Sequence, residues 1–423
     1  MKTKSLSKYL QAIVCTFIIL NSQLSTLNSA SAQPLSYHQF IDTLMSRNKA
    51  LAAQRLNVQV GEAEVTAARA FQDPSVTVEY GNNSDWLIAM GKSLSVELSK
   101  SFSLGKVSAR TRLAKQSLIV AGAELDDYLR NLRADATVSF FDALLARDLA
   151  AIGQEAWQNV QALAASDSLR HARGDISELD MLQSRLEAHL AEQEWNSRAT
   201  DYRNKLVQLD ALAGTPDRGT TAVEGSLGVP SEEYALQWLL DTMMQARADL
   251  LAARAGINVA RSELQVTRRE RMPDIDLSVG VSHNSEVLNE EAPAPEFIGY
   301  TVGVGIPLPV SNLNRGSVRA AQLRSQQAEL QADDLEMQVK AEVVCAYNNY
   351  QAARERAKRF STTLMENARQ VLDGKLYAYR RGETSLLEVL NAQHTYNEIQ
   401  EAYAECLHDC MVALTELQRA AGI

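Results

Sequence analysis

Apolar and polar residues alternate strictly in four short stretches of this chain. Val76, Val78 and Tyr80 interleave with Thr77 and Glu79, and Leu94, Val96 and Leu98 with Ser95 and Glu97. Further on, Ile275, Leu277, Val279 and Val281 interleave with Asp276, Ser278 and Gly280. Tyr300, Val302, Val304 and Ile306 interleave with Thr301, Gly303 and Gly305. A period of two with one apolar face predicts strands at 75–81, 93–101, 274–283 and 298–306. Elsewhere the apolar period is helical, predicting helices over 36–71, 106–169, 177–213, 232–271, 316–380 and 385–421. Residues 75–215 and 310–423 hold no proline, whereas Pro74 and Pro273 stand just past the first helix of each half, where proline stops a helix. A run of roughly 60 helical residues at 1.5 Å rise is about 90 Å long, which points to a coiled coil or a helical tube.

The order helix, strand, strand, long helix, turn, helix occurs twice. Arg173-Gly174-Asp175 opens a run that ends at Gly214, and Arg381-Gly382-Glu383 opens another that ends at Gly422; each Gly-to-Gly interval is 40 positions. A fixed internal spacing marks a duplicated unit. The expected organisation is a first repeat over 33–214, a linker over 215–231 and a second repeat over 232–423. Each repeat would contain one long helical hairpin (106–213 and 316–421), with glycine supplying the turn at its tip.

The first 32 residues stand outside this plan. Lys2, Lys4 and Lys8 precede a short apolar core, Ala12 to Leu20, and Ala30-Ser31-Ala32 follows, which describes a secretory signal peptide. Its removal takes the formal charge from −10 to −13. An acidic chain repels phosphate, so nucleic acid is set aside as a partner. No later run of 18 apolar residues offers a transmembrane helix. Three cysteines remain, Cys345, Cys406 and Cys410, and this odd number in a long exported chain is no disulfide framework.

Four amphipathic strands cannot close a barrel, and a sheet with one greasy face and open edges invites aggregation. Oligomerisation resolves this. Three copies would give twelve strands around an open lumen, with Glu79, Glu97 and Asp276 inward and the apolar set facing outer-membrane lipid. A soluble sandwich edge or hairpin pair is the alternative.

The chain resembles the TolC-type outer-membrane efflux proteins over its whole mature length. The likeness rests on the duplicated order, on Ile306-Pro307-Leu308-Pro309-Val310 with Asn314-Arg315-Gly316, and on the run from Tyr379 to Gln393. The Pro-Leu-Pro and Asn-Arg-Gly elements, with Leu98 to Lys106, resemble the heavy-metal (CzcC- and CusC-like) branch. This resemblance implies a mainly α fold with a transmembrane β-barrel. It implies a homotrimer whose twelve-stranded barrel continues into a long periplasmic α-helical tunnel. The implied partners are a periplasmic adaptor (membrane fusion) protein and an inner-membrane resistance-nodulation-division pump. Adaptor contacts would fall at Arg173, Gly174, Asp175, Arg381, Gly382 and Glu383. The periplasmic gate would map onto Glu388, Asn391, Asp180 and Thr384, although Asn391 departs from an acidic ring and Thr384 lacks the basic charge expected opposite Asp180. Three Glu388 carboxylates around a three-fold axis would repel one another, and a cation would relieve that repulsion.

Other chemistry is thin. Glu405-x-x-His408 has di-metal bundle spacing, but no second copy exists, so a solvated helical face is the expectation. Cys406 and Cys410 sit one turn apart and read as small buried thiols rather than metal ligands. No catalytic constellation and no cofactor motif stands out, so the protein reads as a passive conduit. The rival reading is a periplasmic coiled-coil scaffold or adaptor without a barrel.

Overall fold

The computed structural model describes residues 34–82, 90–216, 218–291, 293–308, 314–360 and 362–423. The signal peptide expected at 1–32, most of the loop expected between the first two strands, and Pro309-Val310 lie outside the described residues. The elements in chain order are β1 (Leu35–Ser36), α1 (Tyr37–Arg47), α2 (Lys49–Ala68), β2 (Ser75–Asn82), β3 (Lys92–Phe102), α3 (Lys106–Arg173) and α4 (Glu178–Leu212). They continue with β4 (Val223–Glu224), α5 (Leu236–Ala246), α6 (Ala248–Arg269), β5 (Ile275–Asn284), β6 (Phe297–Gly305), α7 (Arg315–Arg359), α8 (Thr362–Arg380) and α9 (Leu386–Ala421). They fall into two compact units: residues 50–130, 234–345 and 420–423 form one, and the remainder the other.

The first of these units holds a four-stranded antiparallel sheet of order β2-β3-β5-β6. Opposed residues share a face. The pairings Thr77↔Glu97, Glu97↔Gly280 and Gly280↔Thr301 fix one face as polar and small. The other face carries Val78, Val96, Val281 and Tyr300 in one row, and it is exposed, with Tyr300 at 80% and Val302 at 78%. On the polar face glycine stands opposite serine. A Cβ on Gly81, Gly299 or Gly303 would come within 2.7, 2.7 or 2.6 Å of the Oγ of Ser93, Ser282 or Ser278.

Three expected helices are interrupted. The run expected over 36–71 breaks at Asn48, which has extended backbone (φ −64°, ψ 118°), and that expected over 232–271 breaks likewise at Arg247 (φ −69°, ψ 116°). Each break meets the end of a return helix. Asn48 Nδ2 donates to Leu212 O at 2.9 Å, and Arg247 Nη1 donates to Ala420 O at 2.9 Å, so side chains satisfy orphan C-terminal carbonyls of α4 and α9. Arg247 also binds Asp249 in a two-point contact (2.9 and 2.6 Å) and Glu342 at 2.8 Å. The third interruption divides the run expected over 316–380 into α7 and α8. By contrast α3 runs unbroken for 68 residues. The expected linker also holds structure: β4 pairs in parallel with β1, and Arg147 Nη1 donates to Val223 O and Gly225 O.

In the second unit the core is aromatic near the chain start. Phe40 stacks on Phe140, and Tyr37 meets the Phe140 ring edge-on while bonding Thr137 at 2.9 Å. Further along, Gly153 lets α3 approach α4, since a Cβ there would sit 3.3 Å from Arg198 and 3.5 Å from Trp195 Cα. Trp157 and Trp195 stack beside it at 4.8 Å.

Candidate functional site

The two hairpin tips have the same hydrogen-bonded form. Gly174 (φ +84°) donates to His171 O and Asp175 to Arg170 O, while Gly382 (φ +77°) donates to Tyr379 O and Glu383 to Ala378 O. This is the Schellman helix stop, which requires a left-handed residue and favours glycine. Arg173, Gly174, Asp175, Arg381, Gly382 and Glu383 are all exposed. Arg381 stacks on Tyr377 at 4.5 Å and lies 4.0 Å from Glu383.

Beyond the second tip, Glu388 is paired within its own chain. Its carboxylate pairs with Lys375 on α8 at 2.5 Å and accepts from Thr384 at 2.7 Å. Lys375 first, then Thr384, lowers its pKa below the ordinary carboxylate value. Asn391 joins Glu388 and Lys375 in an open groove of about 420 Å³ between α8 and α9, with Val371 and Ile399 among its apolar walls. Asp180 and Thr384 are not brought together. Asp180 turns to its own helix start, where its amide donates to Ser177 Oγ at 3.1 Å and its carboxylate accepts from that hydroxyl at 2.8 Å.

Sequence reasoning missed the buried polar cluster beneath the tips. Asp167 on α3 has 0% exposure. It accepts from Tyr379 Oη on α8 at 3.1 Å, and Arg170 lies 3.7 Å away with its guanidinium 4.8 Å over the Tyr379 ring. Burial pushes the Asp167 carboxyl up, and burial with the neighbouring Asp167 pushes Tyr379 up to about 12. The signal was present: Asp167 follows Val160 and Ala164 on the apolar stripe of α3, an acid where a hydrophobe is due.

His408 corrects another expectation. It lies not on a solvated face but 15% exposed, with Nε2 2.9 Å from Asp142 Oδ1; Lys205 reaches the same carboxylate at 2.8 Å. Together these contacts tie α9 and α4 to α3. Cys406 and Cys410 are free and buried, and Cys345 is free and exposed. Among the described residues no cluster of His, Cys, Asp or Glu could hold a metal ion, and no helix is long and apolar enough to cross a membrane.

The register places Glu79, Glu97 and Asp276 on the polar face of the sheet. That face carries three acids and no lysine or arginine, while Lys92 and Lys100 fall on the opposite one.

A two-faced sheet whose β2 and β6 edges have no strand partner among the described residues, together with paired long helices, is the set of parts found in outer-membrane efflux folds. The chain belongs to the outer membrane efflux protein family, whose model matches residues 40–215 and again 239–423. Proteins of this family are channels of the outer membrane, not enzymes. Among its relatives, the cobalt-zinc-cadmium resistance protein CzcC of Cupriavidus metallidurans is 24% identical over 93% of this chain and 91% of its own. The outer membrane efflux protein BepC of Brucella suis is 21% identical over 98% and 91%. A solved structure of CusC superposes with TM-score 0.74 at 19% identity, covering 91% of each chain. The outer-membrane channel OprN does so with TM-score 0.74 at 16% identity, covering 91% and 89%.

Proposed function

We propose that this outer-membrane efflux channel conducts heavy-metal cations. In this reading three copies share their four-stranded sheets in one barrel, and the duplicated repeats 33–214 and 232–423 extend the duct as a helical tunnel. The observation that carries it is the sheet. Its β2 and β6 edges have no strand partner among the described residues, and its apolar face is exposed. Closing the edges between copies satisfies the backbone and gives lipid the apolar face. Glu79, Glu97 and Asp276 then line the lumen, where a ring of carboxylates favours cations. The likeness to CzcC points to the same cargo class.

The tips Arg173 to Asp175 and Arg381 to Glu383 are offered to a periplasmic adaptor, which couples the duct to an inner-membrane pump of the resistance-nodulation-division type. Glu388 and Asn391 form the constriction, with Lys375 rather than an Asp180–Thr384 latch restraining it. A deletion strain tests the cargo. Sensitisation to cobalt, zinc or cadmium, reversed by the intact gene, is expected; sensitisation to dyes and antibiotics alone would make the cargo organic. A trimer that survives mild detergent is expected on extraction.

A further inference from the structure

The four connections between sheet and helices lie at one end of the sheet, as the pairings Ser75↔Ser99, Phe102↔Ile275 and Asp276↔Gly305 require. They belong to one compact unit and meet within it. Thr111 Oγ1 on α3 donates to Ala68 O of α2 at 3.2 Å, and Lys106 on α3 pairs with Asp274, just before β5, at 2.8 Å. Each connection carries an exposed apolar side chain: Phe71, Leu104, Met272 and Leu308, with Phe71 at 73% and Leu308 at 74%. Exposed apolar groups at the rim of a lipid-facing sheet belong at the depth where acyl chains give way to headgroups.

Positive charge gathers at the same level. The ten residues adjoining the sheet in each connection, 65–74, 103–112, 265–274 and 306–315, hold eight lysines and arginines against three acids, in a chain whose net charge is −10. One of the acids, Asp274, is taken by Lys106. Asp73 and Glu270 remain, both exposed. Against them stand Arg69, Arg110, Arg112, Arg268, Arg269 and Arg315, all exposed and without an ion pair among the described residues. Arg271 is half-buried, and its Nε has no hydrogen-bond partner among the described residues. The cations therefore outnumber the acids even after every acid is assigned one. Lys100 fixes the side they serve. It ends the row Leu94, Val96, Leu98 on the apolar face, with its Nζ 5.5 Å from the centre of the Phe102 ring. A lysine there reaches along the surface to the headgroups. Arg110 and Arg112 stand about 200° apart around α3, so one of them turns to that same side. Guanidinium binds phosphate in a matched fork, and an excess of cations favours a headgroup of net negative charge.

We infer that this collar binds anionic phospholipid headgroups of the periplasmic leaflet, with the phosphodiesters on Lys100 and the unpaired arginines and the acyl chains against Phe71, Leu104, Met272 and Leu308. The inference rests on the reading of the apolar sheet face as lipid-facing, and it does not depend on what the channel conducts.

The test is electron spin resonance on the membrane-extracted protein reconstituted in phosphatidylcholine vesicles, with trace spin-labelled phosphatidylglycerol or phosphatidylcholine. The immobilised fraction of each label gives its relative association with the protein surface. Phosphatidylglycerol should associate about fivefold more strongly, the effect of one cation near an anionic headgroup, and about 1 M salt should bring the two labels near parity. Arg110→Gln, Arg268→Gln and Arg315→Gln combined, all at exposed positions, should remove most of the preference while insertion is retained. Lys100→Gln alone should lower it, and decides if the triple variant fails to fold. Equal association of the two labels with the wild-type protein, or an undiminished preference in the variants, overturns the assignment. A shifted reversal potential with unchanged lipid preference would place the arginines on the duct instead. Failure of the wild-type protein to insert into either bilayer would remove the lipid-facing sheet and this collar with it.

Discussion

The phenol of Tyr379 donates a hydrogen bond of 3.1 Å to the carboxylate of Asp167, joining α8 to α3 where solvent does not reach. Tyr379→Phe keeps the ring on Arg170 but strips Asp167 of that donor. A buried acceptor left unsatisfied costs about 1–3 kcal/mol. The variant should melt at a lower temperature and, because the bond ties the jointed hairpin to the first, show higher single-channel conductance in planar bilayers. An unchanged melting point and conductance would make the bond incidental.

Glu388→Gln removes the charge held by Lys375 and leaves the hydroxyl of Thr384 a weaker acceptor. Polyvalent cations added from the periplasmic side should block the wild-type channel at lower concentration than the variant. Equal block in both would place the cation site elsewhere.

Acid should loosen the α3–α4–α9 junction. The hydrogen bond from His408 leads in holding Asp142 below its ordinary value, with Lys205 adding to it. A carboxyl whose folded pKa is depressed contributes stability above its unfolded pKa and loses it as pH falls through the folded one. The wild-type melting temperature should therefore fall more steeply below pH 3.8 than that of Asp142→Asn, which should start lower at neutral pH. Parallel curves would show that Asp142 has no such role.

Four glycines with left-handed backbone separate local strain from close packing. A Cβ on Gly214 would stand 2.6 Å from Arg47 O, and on Gly422 3.2 Å from Arg247 N; on Gly174 and Gly382 it would meet nothing within 4 Å. Alanine at either tip should cost only the left-handed penalty, about 1–2 kcal/mol. Gly214→Ala should be the most damaging of the four and Gly422→Ala intermediate, as ranked by thermal unfolding.

The two faces of the sheet should answer differently to charge. Val302→Lys puts a cation on the apolar face, where a bilayer midplane charges about 2–4 kcal/mol. Thr301→Lys, one residue away on the polar face, should insert normally but reduce cation selectivity. Membrane fractionation and reversal potentials read these outcomes, and equal insertion of both variants would contradict a lipid-facing Val302.

The strands were readable because an exposed apolar face needs no tertiary context: the alternation at 275–281 and 300–306 is its whole cause. The helix breaks at Asn48 and Arg247 were not, because each exists to reach a carbonyl more than 160 positions away, at Leu212 and Ala420. Propensity cannot register such a partner. The tips were legible as glycine turns, while the Asp167 cluster was hidden by reading the stripe on α3 only for its apolar members. His408 was discounted for want of a second Glu-x-x-His, when its partner was a lone aspartate on another helix.

Duplication gave this chain two long hairpins, yet α3 is one uninterrupted rod and its counterpart is divided into α7 and α8. Gene doubling thus bequeathed two copies of a single part, and only one of them kept its long helix in one piece. The two halves therefore match in element order but not in the continuity of their longest helix.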